Sequence, residues 1–86
     1  MPTISTFYGI VIQMFLQDHG PPHLYALYAE HEALIAVEDL RLLRGRLPGG
    51  ALALVLEWAA EHQNELLEDW NLCRHLKHPK SIEPLK

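Results

Sequence analysis

Eighty-six residues with 49% hydrophobic and 21% charged content define one folded domain rather than a disordered chain. A chain this short buries about 60–65% of its unfolded surface, so its core is thin and an oligomeric or protein partner is expected. The formal charge of −4, with 7 basic against 11 acidic side chains, argues against a general electrostatic grip on nucleic acid.

Residues 4–17 are rich in β-branched and aromatic types and read as a first strand. Counting by twos, Ile4, Tyr8, Ile10, Ile12, Met14 and Leu16 share a face, opposite Phe7, Val11 and Phe15. Gly9 marks a bend or bulge within it. Asp18-His19-Gly20-Pro21-Pro22-His23 then forms a stiff polar bend, because two prolines fix φ and remove two backbone donors. His23 to His31 alternates again and pairs with the first strand as a hairpin. Ala33 to Val37 is a third strand, Glu38-Asp39 a turn, and Leu40 to Leu43 a fourth strand ending at Gly45. A helical reading of residues 33–44 is the weaker alternative.

The period changes after Pro48, a residue suited to a helix start. Leu52, Val55, Leu56 and Ala59 follow helical spacing, and Leu66, Trp70 and Cys73 continue it. One helix from Pro48 to Leu76 would run about 43 Å, longer than a small domain is wide. Two helices meeting near residues 61–64, or one kinked helix, are therefore expected. Residues 1–78 form the domain and residues 79–86 an irregular tail. The fold class is α+β: an antiparallel sheet of three to four strands, with the helices packed on one face.

No apolar run approaches the roughly 20 residues of a membrane span. No basic residues precede the first apolar run, which argues against a secretory leader. The single Cys73 fits a reducing compartment, so a cytoplasmic location is expected. Cys73, Trp58 and Trp70 read as core or partner-anchoring groups. Glu57, Glu61, Glu65, Glu68 and Asp69 read as a wet helix face.

The bend is the candidate site. His19 and His23 could converge as acid and base, with Tyr25 flanking them, as metal-independent ribonucleases require around one phosphate. Alternatively Asp18, His19 and His23 supply part of a shell for a divalent metal such as zinc, which needs a further donor from His31, Tyr25 or another chain. A rigid loop with no chemistry is the third reading. Arg41, Arg44 and Arg46 form the one basic cluster, fit for phosphate, an acidic partner, or simply a charged strand edge that resists aggregation. The chain has no Gly-rich phosphate loop, nucleophile elbow or Cys-x-x-Cys pair.

Met1-Pro2-Thr3-Ile4-Ser5, Phe7-Tyr8-Gly9-Ile10 and the bend itself resemble the small prokaryotic family called domain of unknown function 4160. Glu57-Trp58-Ala59, His62 to Trp70 and Ile82-Glu83-Pro84-Leu85 resemble it as well. The family's bend reads His-x-Pro-Pro-His-x-His, and Tyr25 stands where the third histidine is expected. That departure removes the third imidazole a zinc site would use. Members are often encoded beside another small uncharacterised family, so the resemblance implies half of a toxin–antitoxin-like pair: an interaction module with a small protein partner or a second copy of itself.

Overall fold

Tyr8 and Gly9, at φ +50° and +79°, turn the expected first strand back on itself. Positive φ at both central residues is what a two-residue hairpin turn needs to follow the twist of its strands. The computed structural model describes residues 2–86; Met1, which opens the resembling segment, lies outside them. The sheet accordingly has five strands rather than three or four: β1 (Thr3–Phe7), β2 (Ile10–Gln13), β3 (His23–Tyr28), β4 (His31–Ala36) and β5 (Leu42–Gly45). They run in chain order as an antiparallel meander, with Tyr28 paired to His31 across the β3–β4 turn. The α+β class and the pairing across the proline bend hold, with Ile12 opposite Ala26.

The sheet's two faces differ. On one, cross-strand rows such as Ile12–Ala26–Ala33 are fully buried, together with Ile10, Leu24 and Ile35. On the other, one row runs Thr6–Val11–Leu27–Glu32 and a second runs Thr3–Gln13–Tyr25–Leu34–Arg44. Val11, Leu27 and Leu34 there are only half-buried. Tyr8 and Leu16 leave the core face expected for them, at 60% and 40% exposure, because β2 begins after the turn and stops at Gln13.

Gly45 ends β5 at φ +77°, and a Cβ there would lie 2.1 Å from the Glu32 carbonyl oxygen. No side chain fits, so this glycine is required by close backbone approach.

Two helices, α1 (Gly49–Glu61) and α2 (Gln63–Arg74), follow Pro48, which caps α1 from outside and accepts the Leu52 N–H at 2.9 Å. They part at His62, within the interval the sequence indicates. Gln63 secures the junction by donating through Nε2 to the Val37 and Glu38 carbonyls at 2.9 and 3.1 Å. Val55, Trp58, Ala59, Leu66, Trp70 and Cys73 join the sheet's buried rows in one core, with the Phe7 and Trp58 ring centroids 5.3 Å apart.

Residues 77–86 form neither helix nor strand, yet Lys80, Ile82 and Glu83 are each fixed by a hydrogen bond to the rest of the domain. The Lys80 N–H donates to Asp69 Oδ1 at 2.8 Å and the Ile82 N–H to the Ile4 carbonyl at 2.8 Å. Trp58 Nε1 donates to the Glu83 carbonyl at 2.7 Å. Asp69 is therefore not part of the wet helix face: it is buried, while Glu57, Glu61, Glu65 and Glu68 are exposed as expected.

Candidate functional site

Three donors converge on the Asp18 carboxylate where β2 gives way to the bend. His23 Nε2 lies 2.8 Å from Oδ2, the Tyr25 hydroxyl donates to the same oxygen at 3.2 Å, and the His19 backbone N–H donates to Oδ1 at 2.9 Å. His23 Nδ1 meets the Pro21 carbonyl oxygen at 2.8 Å. Both ring nitrogens are thus engaged, one by the Asp18 carboxylate and one by a main-chain carbonyl.

The surroundings hold this arrangement from three directions. The His23 ring, almost wholly buried, lies 4.9 Å from the Trp70 ring of α2, centroid to centroid. Phe15 meets Tyr25 edge-on at 4.3 Å. The bend's backbone is tied to α2 by the Gln17 N–H on the Cys73 carbonyl, and to the end of β4 by the Val37 N–H on the Pro22 carbonyl, at 3.1 and 3.0 Å. The Gly20–Pro21 peptide is cis.

These contacts set the local electrostatics. Partial burial pushes the Asp18 pKa up, but the hydrogen bond and charge of His23, the His19 N–H and the Tyr25 hydroxyl outweigh it, and the net direction is down. Tyr25 moves the other way: burial, the negative charge of Asp18 and the bond to it all resist ionisation.

The expected residues thus divide. Asp18, His23 and Tyr25 are brought together, and both His23 ring nitrogens are already engaged, by Asp18 and by the Pro21 carbonyl. His19 is separated from them in role. Its side chain is exposed and lines an open cleft of about 490 Å³ with Gln17, Asp18, Gly20 and Arg74. Among the described residues no three His, Cys, Asp or Glu side chains are grouped so as to hold a metal ion. Asp18, His19 and His23 do not form a preassembled zinc shell.

The arginines also separate. Arg41 sits in the β4–β5 turn, 3.9 Å from Asp39. Arg44 lies opposite Leu34 and lines a small notch of about 40 Å³ with Tyr25, Glu32, Leu34 and Gly45. Arg46 follows the strand, its N–H donating to the Glu32 carbonyl at 3.1 Å. Phe15, Trp70 and Arg74 are additional residues of this region. Trp70 carried a sequence signal only as a core or partner-anchoring residue, and Arg74 carried none.

Meander, bend and helix pair define a small α+β domain whose polar bend is locked from within. The family model described as "Domain of unknown function (DUF4160)" matches residues 9–71, most of the chain, and the protein belongs to that family. The match takes in the bend, Glu57-Trp58-Ala59 and His62 to Trp70. Neither the curated proteins nor the solved structures contain a match to this chain.

Proposed function

We propose that this protein is an interaction module, one half of a toxin–antitoxin-like pair in the cytoplasm, and that it docks a small protein partner on the open face of its sheet. The observation that carries this reading is the pair of half-exposed cross-strand rows on the sheet face away from the core. Val11, Leu27 and Leu34 offer an apolar centre, and Thr3, Thr6, Glu32 and Arg44 a polar rim. An apolar centre within a polar rim is the anatomy of a protein interface. The Asp18–His23 pair supports the reading by making the bend a rigid border to that face, with Tyr25 projecting onto it.

The test is co-expression with the product of the neighbouring gene. The native chain forms a stoichiometric complex, and Leu27→Glu abolishes it while leaving the melting transition of the isolated chain within a few degrees. A chain that stays monomeric and carries no partner through purification sinks the reading.

A second reading rests on the open cleft, where exposed His19, the Asp18 carboxylate and Arg74 could serve acid–base cleavage of a phosphodiester, Arg74 holding the phosphate. Under it, His23 and Tyr25 act as positioning residues. RNA cleavage by the native chain, lost in both His19→Ala and Arg74→Ala, is the result it requires; equal background in all three removes it.

A further inference from the structure

The sheet's two edges are finished differently. The β1 edge is partly covered by the tail, through the bond from the Ile82 N–H to the Ile4 carbonyl. At the other end β5 pairs with β4 alone, and no other described strand lies beyond it. Its outer backbone groups are therefore free to pair with an added strand.

The edge is also electrically distinct. Arg41, Arg44 and Arg46 account for three of the seven basic side chains of an otherwise acidic protein. Neither Arg44 nor Arg46 has a carboxylate within 4.0 Å among the described residues, and Arg41 makes only the 3.9 Å approach to Asp39. Leu42 adds an apolar contact at 41% exposure. A short edge can be guarded by lysine or proline alone. Here the guard is arginine, whose planar fork binds carboxylates in pairs.

From the bare edge and its unpaired arginines we infer that β5 receives an extended acidic segment of the partner protein as a sixth strand. Main-chain bonds to Leu42–Gly45 supply the pairing, and carboxylates on the added strand meet Arg44 and Arg46. A second copy of this chain is the poorer occupant. Two β5 strands side by side would bring six arginines together, and like charges across a strand pair are destabilising. The inference rests on the interaction-module reading and names the chemistry of its partner.

The experiment uses the full chain and an eight-residue peptide alternating valine and glutamate, with a valine–lysine peptide as control. Fluorescence anisotropy gives the affinity, and amide exchange followed by NMR reports on Leu43 and Gly45. The glutamate peptide binds, more weakly as salt rises, and slows exchange at the β5 amides; the lysine peptide does not bind. Arg44→Glu with Arg46→Glu weakens binding by about tenfold or more. Absence of binding at millimolar peptide, equal affinity for the reversed variant, or unprotected β5 amides overturns the inference. If the peptide fails while Leu27→Glu still breaks the partner complex, the edge assignment falls and the open-face reading stands.

Discussion

Two aspartates, one in the bend and one beneath the tail, solve the same problem in opposite ways. Asp18 is partly exposed and receives the His23 ring, the Tyr25 hydroxyl and the His19 N–H. Asp69 is 1% exposed and receives only the Lys80 N–H, leaving Oδ2 buried without a partner. Burial raises the Asp69 pKa, assisted by the charges of Glu68 and Glu65, and the Lys80 N–H offsets only part of it. Asp18 is stabilised as an anion and Asp69 is penalised as one. A carboxylate near the surface of a small domain can thus be worth more than one in its core, provided donors surround it.

The harshest way to break the comparison is to remove the platform under the tail. Trp58→Ala deletes the largest buried side chain and the indole donor to Glu83, and costs about 3–5 kcal/mol, close to the whole stability of a domain this size. Urea denaturation then shows a largely unfolded chain at 25 °C.

Asp18→Ala is next. It leaves the buried His23 Nε2 without its partner and costs about 2–3 kcal/mol, below the usual figure for a broken buried pair because Asp18 keeps contact with water. A loss of a few tenths of a kcal/mol would show that the bend is not locked by this pair.

The pH dependence sharpens the contrast in sign. The folded pKa of Asp18 lies below its unfolded value, so its contribution is complete above about pH 4 and is lost as pH falls through the lowered folded pKa. The folded pKa of Asp69 lies above its unfolded value, so its contribution is complete below about pH 4 and is lost as pH rises through the raised folded pKa. Relative to the native chain, Asp69→Asn gains stability between about pH 4 and 7, whereas the deficit of Asp18→Asn shrinks below pH 4. Denaturation midpoints across that range give both slopes, and parallel slopes would refute the assignment. Tyr25→Phe is the mildest change: it removes one hydrogen bond to Asp18, keeps the edge contact with Phe15, and costs about 0.5–1.5 kcal/mol in the same measurement.

The helices were legible because their apolar spacing is regular and His62-Gln63-Asn64 interrupts it where the structure does. Cys73, Trp58 and Trp70 were legible as core residues for the same reason. The Tyr8-Gly9 turn was not, since tyrosine favours strands and a lone glycine fits a bulge as well as a hairpin. Asp69 was hidden because helical spacing cannot reveal a backbone donor arriving from residue 80. Within the bend the sequence grouped Asp18, His19, His23 and Tyr25 without ordering them. Only the fold shows that His23 turns inward onto Asp18 and His19 outward into the cleft.

The tail's docking has a consequence for how the chain comes into being. Residues near 82 must leave the ribosome before the Ile4 carbonyl and the Trp58 indole can find their partners. During synthesis the first strand therefore waits with a bare margin while everything between is already made. Until residues 82 and 83 arrive, that margin is open to other newly made chains.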